Sequence, residues 1–146
     1  MNEQRTLQMT KVIKAKRSRV FLAWTEADLM KLWLAPGEFT APSANSDPKE
    51  GGQFSIQMEG MMNGRFTTGV ASGVFKQIIP NELVVLTWNW AGDYQPPETV
   101  ITVSFKDVDG GTEINLTQVG FGDDAHKSGF TAGWQTAFEK LALAIA

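Results

Sequence analysis

Gln53-Phe54-Ser55-Ile56-Gln57-Met58-Glu59 is the stretch whose reading decides the fold. Phe54, Ile56 and Met58 alternate strictly with Gln53, Ser55, Gln57 and Glu59. Strand side chains point to opposite faces with a period of two, so this segment has one buried and one wet face. A sheet divided in that way is antiparallel, because parallel sheets are covered on both sides.

Working outward toward the carboxyl end, residues 60–64 predict a turn, with Asn63-Gly64 as its strongest signal. A long strand is expected over 66–78, a turn at Pro80-Asn81-Glu82, and a strand rich in β-formers over 83–90. Residues 92–97 read as a loop. In 99–105, Ile101, Val103 and Phe105 share one parity, and Asp109-Gly110-Gly111 predicts a tight hairpin. Ile114, Leu116 and Gln118 then share the inward face of the last strand. Residues 126–146 predict one amphipathic helix, with Phe130, Trp134, Phe138, Leu141 and Ile145 spaced by three or four.

Toward the amino end, 39–46 reads as a weak strand and 47–52 as a turn. Thr25-Glu26-Ala27-Asp28 approximates a capping box, with Trp24 and Leu29 as its staple and Leu29, Leu32 and Trp33 as the apolar face of a short helix ended by Pro36-Gly37. Ser18 is the expected cap of an earlier helix over 19–24, and residues 6–13 have strand character. Strand, two short helices, six strands and a long helix describe an α+β fold. An antiparallel meander of about seven strands buries one face, and only the terminal helix is long enough to cover it.

Composition narrows the function classes. The chain has 146 residues, 42% of them hydrophobic and 20% charged, which suits one folded domain over 1–146. Thirteen basic residues against sixteen acidic ones, net −3, provide no field for nucleic acid. The absence of Cys excludes disulfides and thiolate chemistry. Met1-Asn2-Glu3-Gln4-Arg5 lacks the apolar stretch of a secretory signal, and no run of about 18 apolar residues suggests a membrane span. A cytoplasmic location is expected. No cofactor is implied, and nothing fixes an oligomeric state.

An ordered series of motifs carries a family resemblance. Phe21-Leu22-Ala23-Trp24-Thr25, Leu32-Trp33-Leu34-Ala35-Pro36, Lys49-Glu50-Gly51-Gly52-Gln53-Phe54, Gly73-Val74-Phe75-Lys76-Gln77-Ile78 with Pro80, Leu86-Thr87-Trp88, Gly120-Phe121 and Gly133-Trp134 occur in order from about Val20 onward. They resemble the heat-shock protein 90 ATPase activator-like family within the SRPBCC, or START-like, group. That resemblance implies a helix-grip fold, shared with lipid-transfer, plant allergen and polyketide cyclase relatives. It also brings in a chaperone as a partner, although the eukaryotic activators carry a further amino-terminal domain for which this chain has no room. Leu34, Ala35 and Gln118 depart from the family pattern. Gln118 stands where many relatives carry a polar ring or an acid, which weakens an inherited acid–base role.

Gly120-Phe121-Gly122-Asp123-Asp124-Ala125 formally matches a dinucleotide-binding pattern. No strand follows its helix to complete a βαβ unit, and two Asp residues stand where a pyrophosphate would sit. A helix cap is the better reading. His126, the one histidine, lacks the companions of a transition-metal site and reads as a polar residue at the helix start. Gly129 and Gly133, each unfavourable by about 1 kcal/mol in a helix interior, either admit a close neighbour or a ligand, or mark a later helix start.

The first expectation is therefore binding of a small hydrophobic or amphipathic molecule between sheet and helix. Phe54, Ile56, Met58, Trp88, Ile101, Phe130 and Trp134 would form the walls. Gln118 would be the polar handle, unless protein groups satisfy its amide. Met61-Met62 would form an adaptable lid. The alternatives are a cyclase- or hydrolase-type cavity enzyme and a co-chaperone. The enzyme is the weaker, because Glu59, Tyr94, Glu98 and His126 lack clear inward parity and no catalytic residue is assigned.

Overall fold

The computed structural model describes residues 5–62, 64–92 and 95–145. Residues 1–4, Asn63 of the expected turn, Tyr94 of the acid–base candidates and Ala146 of the expected last helix lie outside the described residues. Among those described, the order is β1 (Leu7–Ile13), α1 (Arg17–Thr25), α2 (Ala27–Trp33), β2 (Thr40–Ser46), β3 (Gln53–Met62), β4 (Arg65–Ile79), β5 (Leu83–Ala91), β6 (Thr99–Val108), β7 (Gly111–Val119) and α3 (Asp124–Ile145). The seven strands form one antiparallel sheet in the order β1-β7-β6-β5-β4-β3-β2. Strands β2 to β7 follow one another as a meander, and β1 joins at the edge beside β7. Register shifts between Thr40 and Ser43 and between Phe75 and Gln77 mark irregularities of the kind that bend a sheet. This is the α+β helix-grip architecture.

The alternation in β3 does what its pattern requires. Phe54, Ile56 and Met58 are buried, and across the strand pairing Ala71, Phe75, Leu86, Ile101, Val103, Ile114 and Leu116 continue that core. Helix α3 adds Trp134, Ala137, Phe138, Leu141 and Ile145. Trp134 lies within 5.6 to 6.3 Å of Trp24, Trp33, Trp88 and Phe138 by ring centroids. One aromatic cluster therefore joins α1, α2, β5 and α3.

Four local expectations are corrected. Helix α1 begins at Arg17, with Lys16 at the cap and no side-chain cap bond, so Ser18 lies inside the first turn. Arg17 is held there by its bond to the Asn81 carbonyl and its ion pair with Asp107. The capping box does not form. Thr25 ends α1 and donates its hydroxyl to the Phe21 carbonyl, while Glu26 caps α2 without a side-chain bond. The buried face of α2 is Met30 and Trp33, with Leu32 53% exposed, because the Trp33 indole N–H donates to the Ala23 carbonyl at 2.8 Å and fixes the roll of the helix. Finally, Gly60 belongs to β3 rather than to a turn. Strands β3 and β4 stay paired out to Met62 and Arg65, and Gly64 turns with φ +76°.

Since Trp134 is 3% exposed and central to the cluster, Trp134→Ala should lower stability by about 3–5 kcal/mol. Urea unfolding checks this. A loss below about 0.5 kcal/mol is surface behaviour and is incompatible with this packing.

Candidate functional site

A cavity of about 610 Å³ lies between the inner face of the sheet and α3. Its deep wall consists of buried Leu34, Met58, Trp88, Trp134 and Ala137. Phe39, Met62, Trp90, Pro96, Pro97 and Phe130 surround the more exposed part. Helix α3 contributes His126, Gly129, Phe130, Gly133, Trp134 and Ala137. These recur at helical spacings of three and four, so they form one stripe facing the sheet.

Two strand glycines seat the aromatic walls. A Cβ at Gly60 would come within 2.8 Å of the Phe39 ring, and one at Gly69 within 2.1 Å of the Trp90 ring. Any larger residue would push these rings away from the sheet. Glycine inside a strand is the usual signal of close approach. In the sequence Gly60 has the character of a turn residue, and nothing local marks Gly69.

The segment from Leu34 to Phe39 closes another side and is tied to α3. Lys140 Nζ donates to the carbonyls of Ala35 and Phe39. The Gly37 N–H donates to Thr136 Oγ1 at 2.8 Å, and Gly133 leaves room for Pro36, whose Cβ is 3.3 Å from the point a Gly133 Cβ would occupy. Burial lowers the pKa of Lys140. No pattern in the sequence marked this lysine, because its partners are carbonyls more than 100 residues away.

Gly129 behaves differently. Among the described residues, a Cβ there would meet nothing within 4 Å. Helix α3 starts at Asp124, so a later helix start does not explain either glycine. Gly133 admits a neighbour, and Gly129 leaves open cavity wall.

Of the eight residues expected at the site, Met58, Trp88, Phe130 and Trp134 line the cavity. Phe54, Ile56 and Ile101 lie behind it in the core; Phe54 packs against Phe75 and Trp88 at 5.4 and 5.8 Å. Gln118 is fully buried, and its amide is engaged by the protein. Its Nε2 donates to Thr99 Oγ1 at 2.9 Å, and its Oε1 accepts from Trp134 Nε1 at 2.8 Å. The expected polar handle is thus a support behind the wall. Of the expected lid, Met62 lines the cavity while Met61 lies exposed on the opposite strand parity.

His126 stands on the cavity wall at the start of α3. Asp123 caps the helix as expected, accepting from the His126 backbone N–H at 2.8 Å. The Gly122 N–H donates to His126 Nδ1 at 3.1 Å. Phe121 and Phe130 pack against the imidazole at 5.1 and 5.5 Å. Desolvation lowers its pKa, and the nearby Asp123 charge opposes that shift without cancelling it. Among the other acid–base candidates, Glu98 is exposed and accepts from Asn89, and Glu59 is on the outward parity of β3. Among the described residues, no cluster of three or more His, Asp or Glu is arranged to hold a metal ion, and no helix is long and apolar enough to cross a membrane.

A family model described as "Activator of Hsp90 ATPase homolog 1-like protein" matches residues 14–146. The chain belongs to this family. Its fold is shared with solved structures at low sequence identity. A Chromobacterium violaceum protein superposes with a TM-score of 0.81 at 20% identity, covering 97% of each chain. A family protein from Silicibacter pomeroyi gives 0.80 at 20% identity, over 94% of this chain and 95% of that one. A family-like protein from Aeromonas hydrophila gives 0.71 at 18% identity, over 95% and 90%. No curated protein matches the chain. The family match and these structures carry the helix-grip fold and leave the occupant of the cavity to be argued from its walls.

The single histidine should give one titrating imidazole signal by NMR, with a midpoint below the ordinary value of about 6.5. Folding favours the neutral ring, so the unfolded chain takes up this proton first as pH falls. The group therefore has no effect on stability well above its unfolded pKa. Stability drops as pH falls through that value and levels off below the folded one. A midpoint at or above that of the unfolded chain would mean that Asp123 outweighs burial.

Proposed function

We propose that residues 1–146 act as one cytoplasmic helix-grip domain that binds a small hydrophobic or amphipathic molecule in the cavity between the sheet and α3. The observation that carries this reading is the cavity itself. Its volume falls within the roughly 300–1,000 Å³ range of small-molecule sites, and its walls are aromatic and aliphatic with few polar groups. Met58, Trp88, Phe130 and Trp134 are the contacts shared by the sequence reading and the cavity lining. Phe54, Ile56, Ile101 and Gln118 hold those walls in place in this reading. Gly129 supports it further, since a helix-interior glycine that no described residue packs against lowers stability and leaves only room in return.

The family description favours a second reading, stimulation of a heat-shock protein 90-type ATPase. The two readings separate cleanly. If the purified chain raises such an ATPase several-fold while no apolar molecule binds it, the co-chaperone reading replaces the cavity one.

An uncharged apolar fluorophore such as N-phenylnaphthylamine should bind the folded protein with micromolar affinity and alter its Trp emission. Gly129→Phe should keep a cooperative unfolding transition and weaken dye binding at least about tenfold, the effect of losing about 1.4 kcal/mol of binding free energy. Gly129→Ala should raise stability by up to about 1 kcal/mol. A folded wild-type protein that binds no member of a varied apolar panel would sink the cavity reading.

A further inference from the structure

Among the described residues, the cavity wall has two ionisable side chains, Asp123 and His126, at the end where α3 begins. Their bonding fixes what each can offer a ligand. Asp123 accepts from the helix backbone. His126 Nδ1 accepts the Gly122 N–H, so this nitrogen presents a lone pair, and in the neutral ring the proton sits on Nε2. Nε2 is shielded from solvent and, among the described residues, has no hydrogen-bond partner. A buried donor without an acceptor is unfavourable, and an acceptor brought by a ligand would relieve it.

The charge around the ring narrows the class of acceptor. Asp123, Asp124 and Lys127 lie within three residues of His126, and the Asp123 charge is the one that acts on the imidazole. Arg5 is 3.7 Å from the Asp124 carboxylate and also donates to the Gly122 carbonyl. A ligand carboxylate at Nε2 would face the Asp123 charge, which an uncharged oxygen avoids.

We infer that His126 Nε2–H is the polar anchor of the cavity, donating to the carbonyl oxygen of an uncharged, otherwise apolar ligand such as a ketone or ester. The apolar body then runs along the bare helix at Gly129 toward Trp88 and Trp134. Solvent does not reach Nε2, so the acceptor gains access by a shift of the rings packed on the imidazole, Phe121 and Phe130. This assignment rests on the cavity-binding reading. It gives His126 the role that the sequence reading had reserved for Gln118.

Competition for the bound fluorophore tests it with three probes of equal chain length: methyl nonyl ketone, undecane and undecanoate. The ketone should displace the dye at roughly tenfold lower concentration than either of the others, the upper end of what one net hydrogen bond provides. His126→Phe should bring the ketone-to-undecane ratio close to one. In the wild type, the ¹⁵N resonance of Nε2 should move with the ketone and stay still with undecane. These wild-type measurements remain decisive if the variant does not fold. Equal potency of ketone and undecane, or a preference for undecanoate, overturns the anchor while leaving cavity binding intact. If the dye itself does not bind, the cavity reading fails and the anchor falls with it.

Discussion

The link between sheet and helix depends on one buried chain of hydrogen bonds. Thr99 on β6 accepts from Gln118 on β7, and Gln118 accepts from the indole of Trp134 on α3. All three side chains are almost fully buried. Polar groups removed from water must be paired, so this relay tolerates only one rotational setting of α3. A slip of one residue would turn Trp134 by about 100° and leave both the amide and the indole stranded. With Trp134 set, its ring joins those of Trp24, Trp33, Trp88 and Phe138, and the two short helices are placed by the same cluster.

That attachment divides α3 into two functional parts. Beyond Trp134, Phe138, Leu141 and Ile145 fill the core in the ordinary way. Before it, Gly129 meets no described residue, Phe130 is only half-buried, and the cavity occupies the space. The cavity is therefore held open by rigid neighbours. Gly60 and Gly69 let Phe39 and Trp90 lie flat against the strands, and Lys140 pins the segment from Leu34 to Phe39 onto the helix. Close-packed proteins fill space wherever side chains can reach it. Here Gly129 presents no side chain to the space, and the Lys140 side chain is held at the Ala35 and Phe39 carbonyls.

Polar groups near the cavity follow the same division. Gln118 is engaged in structure, while His126 keeps one nitrogen without a partner among the described residues. In the segment that resembles a dinucleotide-binding loop, the Gly122 N–H is engaged by His126 Nδ1 and the His126 N–H by Asp123. Two backbone donors that an anion could use are thereby occupied.

The sequence by itself determined the element order, the antiparallel meander, the inward parity of β3, β6 and β7, and the apolar stripe of α3. Each of these follows from a periodicity of two or of about 3.6, a local property carried by neighbouring residues. It also placed Met58, Trp88, Phe130 and Trp134 toward a common space. The tertiary structure decided which polar groups have partners. Parity showed Gln118 pointing inward, yet Thr99 and Trp134, 19 and 16 residues away, determine that its amide is satisfied. Local spacing suggested a capping box at Thr25, yet its hydroxyl turns back to Phe21. Gly60 looked like a turn until Phe39 was seen to lie against it. Burial of a side chain is written in local periodicity, whereas satisfaction of its hydrogen bonds depends on groups that only the folded chain brings within reach.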